Sequence, residues 1–289
     1  MLSFRRASSA IIAATTLAIS ATAHADRSFV LGGGIGADDT GGLSVDALAD
    51  VSLTDRTWLT LSAGTTDADT ERDSIRTSAV QLGLTHRFGT LGIGIGGGTW
   101  GDAGRLESND LNFDVFWQSD TWRFAIDYER RDIELTLVFR PLDPVLPPQE
   151  VTASLDGDGI GANVRYRTKS NTSFSLRARQ FDYSRDISRL DSLELVRRIS
   201  PTTLTLVGAL RESQYTAAVD WEEGSYRFGL EIARDRLIVG ELDVTSVTGT
   251  VLAPIGRRMD LEVNFGVSNS DDAEGGAYGG LFLFFYGGG

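Results

Sequence analysis

The chain has 289 residues, a formal net charge of −13 and no cysteine. Without cysteine there are no disulfides, thiolate metal sites or cysteine nucleophiles, and the acidic balance argues against nucleic acid as a partner. No apolar run after residue 25 approaches the roughly 18 residues that a membrane-spanning helix needs.

Residues 1–25 have the three-part layout of a secretory signal peptide. Arg5 and Arg6 provide a basic start, an apolar stretch begins at Ala10, and the segment ends in Ala-His-Ala at Ala25. The apolar stretch is too short for a comfortable transmembrane helix. We therefore predict that residues 1–25 are cleaved off and that residues 26–289 form a single exported domain.

After this leader, apolar side chains recur at every second position in many short stretches. Trp122, Phe124, Ile126 and Tyr128 are a clear case, because charged residues fill most of the gaps between them. Further cases are residues 160–166, 174–178, 226–232 and 261–267. A period of two indicates strands with one apolar and one polar face. No segment has a convincing helical period, so the sequence predicts an all-β protein.

The connections between these stretches alternate between short and long. Short ones lie near residues 54, 88, 119, 169, 200 and 254, and the longer, acidic ones cover 67–76, 101–110, 181–192 and 270–276. This alternation is typical of membrane barrels, which have tight periplasmic turns and longer external loops. A soluble β-sandwich or β-solenoid is the alternative, but no linker or change of composition divides the chain.

The last strand carries a recognisable pattern. Tyr278, Gly280, Leu283 and Phe285 match the C-terminal assembly signal of bacterial outer-membrane proteins, although three glycines follow where that family usually ends on an aromatic residue. Together with the leader and the alternation, this ending resembles the porin-like outer-membrane β-barrels of Gram-negative bacteria, over residues 26–289 and without pointing to a subfamily. The resemblance implies an outer-membrane location, contact with lipid and lipopolysaccharide, and insertion by the barrel assembly machinery.

We predict a transmembrane antiparallel barrel of about 16 strands, within a range of 14 to 18. The uncertainty lies in residues 130–159, where the apolar residues change from even to odd positions at Ile133 and return after Leu155. The segment forms either one long external hairpin or two more spans. Four prolines between residues 141 and 148 make its tip a loop, which is also the candidate for a plug.

The polar face of each strand should line the lumen. The predicted basic wall consists of Arg123, Arg165, Arg167, Arg177, Arg179, Arg198, Arg211 and Arg227. The predicted acidic residues of the lumen are Asp46, Asp50, Asp114, Asp127, Glu129, Glu231, Asp243 and Glu262. Guanidinium groups bind carboxylates and phosphates in a forked geometry, and opposed charges can select ions. The alternative is that these arginines only pair with the acids inside the barrel.

The resulting prediction is an outer-membrane channel that transports small polar or anionic solutes, including ions. A non-transporting structural or accessory barrel, in envelope assembly or polymer secretion, is the second hypothesis. Barrel hydrolases generally rely on a histidine base, and His86 is the only histidine after the leader, next to a short turn. We therefore expect no enzyme activity, no catalytic residue, no metal and no cofactor. The sequence does not specify an oligomeric state.

Overall fold

The alternating stretches form fourteen antiparallel strands that close into a barrel. The computed structural model describes residues 29–39, 41–69, 74–102, 106–139, 149–184, 210–238, 242–270 and 275–287. The predicted leader, residues 1–25, lies outside the described residues. No helix in the described part of the chain is both long and apolar enough to cross a membrane.

Each strand pairs with its neighbours in sequence, and the first pairs with the last. The strands are β1 Phe29–Asp38, β2 Leu43–Thr54, β3 Thr57–Asp69, β4 Ser74–Phe88, β5 Leu91–Asp102, β6 Leu106–Gln118, β7 Trp122–Phe139, β8 Gln149–Arg167, β9 Ser173–Tyr183, β10 Arg211–Glu223, β11 Tyr226–Leu237, β12 Asp243–Pro254, β13 Met259–Ser270 and β14 Gly276–Gly287. Because β1 and β14 are hydrogen-bonded from Phe29 to Asp38, the sheet has no free edge.

The large apolar side chains of the strands point away from the barrel axis. In β7, Trp122, Phe124 and Ile126 are exposed, with Ile126 reaching 67%, whereas Arg123 and Asp127 between them are partly buried. The same alternation of exposed apolar and less exposed polar residues runs through much of β2, β8, β9, β11 and β13. An outer surface this apolar is suited to lipid rather than water.

The two ends of the barrel differ. Short connections at residues 55–56, 89–90, 119–121, 168–172, 224–225 and 255–258 join strands at one end, which we name the turn end; the other is the loop end. The first strand begins and the last strand finishes at the turn end. On β6 to β11 this end carries exposed aromatic residues on the outer face, where interfacial aromatic residues are expected: Trp117, Trp122, Tyr166, Trp221 and Tyr226.

The count of fourteen is the lower bound of the predicted range and two below the preferred 16. Residues 130–159 do not add two spans, because β7 and β8 pair continuously from Trp122 opposite Tyr166 to Phe139 opposite Gln149. The alternative of one long hairpin is therefore confirmed, while its proline-rich tip, residues 140–148, lies outside the described residues. β9 pairs directly with β10; the turn predicted near residue 200 also lies outside them.

The change from even to odd apolar positions in β7 has a simple physical cause. The strand keeps its register, so that Arg131 and Ile133 stay on the inner face and are buried. Arg130 and Asp132 alternate with them on the outer face and are exposed. Beyond Tyr128 the outer face is therefore polar, and the inner face becomes apolar from Ile133 onward. The two faces exchange polarity where the strand leaves the apolar band.

Candidate functional site

The predicted basic wall lies on the inner face of five consecutive strands, β7 to β11. The described members are Arg123 on β7, Arg165 and Arg167 on β8, Arg177 and Arg179 on β9, Arg211 on β10 and Arg227 on β11. They alternate with the exposed apolar residues of the outer face. Arg198 lies outside the described residues. The barrel thus gathers seven of the eight arginines on one side of the lumen.

Arg211 reaches this wall through an irregularity at the start of β10. The pairing with β11 shifts between Arg211 and Ser213, so that Arg211 lies opposite the buried Leu237 while Ser213 lies opposite Arg236 on the outer face. A bulge of this kind re-aims a side chain. The Nε atom of Arg211 consequently lies 2.6 Å from Oδ1 of Asp235 on the inner face.

Most of the predicted acidic residues also face inward. They are Asp46 and Asp50 on β2, Asp114 on β6, Asp127 and Glu129 on β7, Glu231 on β11 and Glu262 on β13. Asp243 was predicted wrongly: it lies on the outer face, 2.9 Å from the exposed Arg234. β12 has apolar residues on both faces, so its sequence pattern does not show which face points inward. Its one carboxylate was assigned to the lumen only because it is charged. Pairing of Val247 with Val267 on the outer face fixes the opposite register.

Several charges on β7 and β9 compensate one another in an ion-pair cluster, formed by Asp127, Glu129, Arg131, Arg177 and Arg179. The two terminal nitrogens of Arg179 donate hydrogen bonds to Asp127 and Glu129. The Nε of Arg131 donates to Oε1 of Glu129 at 2.7 Å. The side chains of Arg179 and Glu129 are each only 10% exposed. These arginines therefore have a structural role that needs no solute.

The ion-pair cluster also contacts the aromatic residues of β9. The guanidinium carbon of Arg131 lies 4.0 Å from the centroid of the Phe181 ring, a cation–π distance. Phe181 in turn occupies the space beside Gly159 on β8, where a Cβ atom would come within 3 Å of the ring. Glycine on β8 thus allows the ring to lie flat beneath the charge.

Nearer the turn end, Arg123 and Arg165 form what we name the arginine pair. They are direct cross-strand partners on the inner face. A terminal nitrogen of Arg165 lies 3.8 Å from Oδ2 of Asp220, and the guanidinium carbon of Arg123 lies 4.5 Å from the centroid of Phe116. Among the described residues, Arg123 makes no ion pair within 4.0 Å. The arginine pair is less compensated than the ion-pair cluster.

Sequence reasoning missed two residues that this geometry makes important. Arg131 continues the inward series of Asp127 and Glu129, but the change of polarity in β7 hid it. Asp220 lies between Val219 and Trp221 on β10 and is the carboxylate nearest to Arg165. Strict alternation, continued along each strand in spite of local polarity, would have identified both.

Opposite charges also face each other across the lumen. β2 and β9 lie seven positions apart in the circuit of fourteen strands, which is half of it. Asp46 and Asp50 on β2 therefore lie on the wall opposite Arg177 and Arg179 on β9. The hydroxyl of Thr60 donates a hydrogen bond to Asp50, which holds that carboxylate on its own wall.

Part of the lumen between these walls is accessible to water. Gln81 on β4 and Asn112 on β6 face inward by register, and both are exposed. β5 lies between them with Gly94, Gly96 and Gly98 on the inside, and the side chains of Asn112 and Gln81 lie close to Gly96 and Gly98. A barrel of this strand number is too wide for side chains to fill throughout.

Close to the loop end, the inner face carries a loop-end apolar cluster of seven buried residues. These are Leu106, Ile133, Leu155, Leu210, Leu237, Leu242 and Val244. Trp100, Tyr183 and Ile238 pack against it. Backbone hydrogen bonds from Leu237 to Leu242 and from Ile238 to Leu210 join its members at the ends of β10, β11 and β12. The lumen thus changes from charged to apolar towards the loop end.

Comparison with known proteins identifies solved structures that share this barrel fold. No protein-family model and no curated protein matches the sequence. Among solved structures, the CymD monoaromatic hydrocarbon channel matches at 8% identity and a TM-score of 0.56, over 91% of this chain and 90% of that one. A FadL homologue from Pseudomonas aeruginosa matches at 8% identity and 0.56, over 89% and 88%.

A loop-deletion mutant of OmpT, an outer membrane protein of Vibrio cholerae, matches at 9% identity and a TM-score of 0.50, over 90% of this chain and 98% of that one. This chain has the fold of an outer-membrane β-barrel. At such identities the similarity shows the fold alone and does not extend to the side chains of the lumen.

The closing strand of this outer-membrane barrel is apolar on both faces. Leu283 and Phe285 of the predicted assembly signal are exposed on the outer face, whereas Tyr278 and Gly280 face inward. Phe284 and Tyr286 are buried inside, against Val30 of β1. Gly32 and Gly34 on β1 leave room for the Phe282 ring. The aromatic tail therefore seals the seam between β1 and β14 from within.

Proposed function

We propose that this outer-membrane barrel is a channel that passes small polar or anionic solutes along its arginine-lined wall. The single observation that carries the proposal is the arginine pair. Arg123 and Arg165 lie side by side on the inner face, and the nearest carboxylate lies 3.8 Å from Arg165. Two adjacent guanidinium groups with incomplete compensation offer a forked site to a carboxylate, a phosphate or a small inorganic anion.

The arrangement of the other charges supports a path for dipolar solutes as well. Asp46 and Asp50 lie on the wall opposite Arg177 and Arg179, across a lumen in which Gln81 is exposed. Opposed charges across water set a transverse field that orients dipoles and discriminates between ions. CymD, a monoaromatic hydrocarbon channel, shares the fold, but the charged inner wall of this chain favours polar cargo.

Transport fits the described side chains better than catalysis does. His86 lies on the outer face at the turn end, where its Nδ1 is 2.8 Å from the hydroxyl of Thr57 and its ring is 4.3 Å from that of Phe88. It therefore faces away from the charged lumen. A residue with this placement belongs to the interfacial belt rather than to a hydrolytic site.

The proposal includes a location and partners. Residues 1–25 would direct export, and residues 26–289 would insert into the outer membrane of a Gram-negative cell envelope. The exposed apolar outer face would contact lipid and lipopolysaccharide, and the barrel assembly machinery would read Leu283 and Phe285, which that face exposes.

A non-transporting structural or accessory barrel is the second candidate, and one observation favours it. The loop-end apolar cluster is buried although it lies on the inner face. A barrel filled at this end would conduct poorly or not at all, and its use would lie in envelope assembly or polymer secretion.

Planar-bilayer recording of the processed protein separates the two candidates. Discrete current steps support the channel, and in a KCl gradient the sign of the reversal potential reports whether anions are preferred. Double substitution of Arg123 and Arg165 by glutamine should reduce that preference. A membrane that stays electrically silent with correctly folded protein, in wild type and in variants alike, would exclude the channel.

A further inference from the structure

The loop-end apolar cluster is buried from water, whereas other inner-face positions of the lumen are exposed to it. Leu237, Val244 and Ile133 are 0%, 1% and 2% exposed, although all three occupy inner-face positions. Gln81 and Asn112 occupy equivalent inward positions nearer the middle of the barrel and are exposed. Side chains that merely lined an open aqueous lumen would be wetted as these two are. The cluster therefore packs against itself.

The cluster also extends far around the barrel. Trp100 on β5 packs against it, and Val244 on β12 belongs to it. These strands lie seven positions apart in the circuit of fourteen, so the apolar layer spans half of the circuit. It is not a local patch on one wall.

Four of the six remaining strands contribute small polar side chains at the same end, and these are buried too. They are Ser44 on β2, Thr66 on β3, Thr77 on β4, and Ser268 and Ser270 on β13. Burial on the inner face of the loop end thus continues beyond the apolar half of the barrel.

A dry apolar layer opposes the passage of hydrated solutes. An ion that passes along the loop-end apolar cluster loses water and gains no polar partner from these side chains, which is strongly unfavourable. Hydrophobic constrictions in channels act in this way, by expelling water from the pore. The arginine pair, nearer the turn end, is separated from the loop end by this layer and by the ion-pair cluster.

We infer that the loop-end apolar cluster is a hydrophobic barrier across the mouth of the lumen, and that it, rather than the arginine pair, limits how fast ions pass. The inference rests on the proposed channel function. It assigns rate control to the leucines and isoleucine of the loop end and leaves the preference for anions to the arginines. Polar substitution within the cluster should wet the barrier without altering the sign of selectivity.

The test compares polar and apolar replacements within the loop-end apolar cluster in planar bilayers. Leu237→Asn combined with Ile133→Asn introduces amides, whereas Leu237→Met keeps the apolar volume. We expect the asparagine variant to raise the single-channel conductance or the open probability by about tenfold, which corresponds to lowering the barrier by about 1.4 kcal/mol. The methionine variant should behave as wild type.

A second measurement does not depend on how the polar variant folds. Because the chain has no cysteine, single cysteines can be placed at Leu237 and at Gln81 and treated with a charged thiol reagent. Gln81→Cys should react readily and Leu237→Cys should not. Equal reaction rates at the two positions would overturn the barrier.

The outcomes separate this inference from the proposed function. Current steps that are the same in wild type and in the asparagine variant overturn the barrier and leave the channel in place. Silence in wild type with steps in the asparagine variant, or a tenfold rise, supports both. Silence in every folded variant overturns the channel and the barrier with it.

Discussion

Arg123 and Arg165 face each other across the β7–β8 ladder on the inner face of the barrel. Like charges placed directly opposite repel, and such a pair is destabilising unless something compensates it. The compensation is partial: Asp220 approaches Arg165 at 3.8 Å, and Arg123 lies over the ring of Phe116. An anion that entered the lumen would gain the most electrostatic stabilisation at this partly compensated arginine pair.

The first prediction concerns selectivity. Replacing both Arg123 and Arg165 by glutamine should lower the ratio of anion to cation permeability by at least about fivefold, because each unit charge 4 Å from an ion in a water-like medium contributes about 1 kcal/mol. The reversal potential in a KCl gradient measures this ratio. Arg130→Gln is the matched control, since Arg130 lies on the outer face of the same strand and is exposed. An unchanged ratio in the double variant would contradict the role of the arginine pair.

The second prediction concerns the ion-pair cluster. Arg179→Met leaves Asp127 and Glu129 without their shared donor, and loss of one partner from a buried pair typically costs about 3–5 kcal/mol. Unfolding by urea in detergent micelles should show this loss in the free energy of unfolding.

Arg234→Met provides the comparison, because Arg234 pairs with Asp243 on the outside and its side chain is 62% exposed. Exposed pairs contribute about 0–1 kcal/mol. If the two substitutions changed the free energy of unfolding equally, the cluster would not be the internal support that its burial indicates.

The sequence predicted the fold where polarity and register agree. From Trp122 to Tyr128 the outward residues are apolar and the inward ones are mostly charged, so alternation alone places Arg123 and Asp127 correctly inside the barrel. The same rule places the arginines of β8 and β9. Lipid outside the barrel and water inside it impose this pattern, because a strand between them needs one apolar and one polar face.

Alternation alone was ambiguous, and in one case wrong, where the surroundings of a strand change. Beyond Tyr128 the outer face of β7 is polar. The apolar residues Ile133 and Leu155 therefore lie on the inner face, without any change of register. Leu210 and Leu242 enter the loop-end apolar cluster from connections, and alternation carries no information there. The assignment of Asp243 to the lumen was wrong because apolar residues occur on both faces of β12. The two extra strands of the predicted 16 lie on either side of the turn predicted near residue 200, outside the described residues, and β9 pairs directly with β10.

The third prediction is that the mature chain begins at Asp26. N-terminal sequencing or intact-mass measurement of protein from the cell envelope should find residues 1–25 removed, because the apolar stretch after Arg5 and Arg6 and the Ala-His-Ala ending suit a signal peptidase. A mature chain that retained these residues would contradict both the leader and the assigned domain.

The fourth prediction concerns insertion by the assembly machinery. Phe285→Ser should lower the amount of folded, heat-modifiable barrel in the outer membrane, because Phe285 is an exposed apolar residue of the predicted signal. Ala277→Ser changes the same face of β14 at the other end of the strand and should leave assembly unchanged. Equal yields of the two variants would remove Phe285 from the signal.

The fifth prediction uses two adjacent glycines of β1 that point in opposite directions. A Cβ atom at Gly34 would lie 2.8 Å from Cε2 of Phe282 and 2.9 Å from the carbonyl oxygen of Leu281. A Cβ atom at Gly33, on the outer face, would approach no closer than 3.7 Å, to the carbonyl oxygen of Asp46. Gly34→Ala should therefore destabilise the barrel by about 1–3 kcal/mol, the usual cost of overpacking, whereas Gly33→Ala should be tolerated.

The reason lies in the seam. β1 and β14 are the first and last strands, and their pairing closes the sheet. The inner face of their junction is covered by the ring of Phe282, which lies over Gly34. An added methyl group forces either the ring or the backbone of β14 away, which loosens the pairing that closes the barrel. Thermal unfolding in detergent, followed by the shift in gel mobility, compares the two variants directly. A lower unfolding temperature for Gly33→Ala than for Gly34→Ala would show that packing over the seam does not stabilise closure.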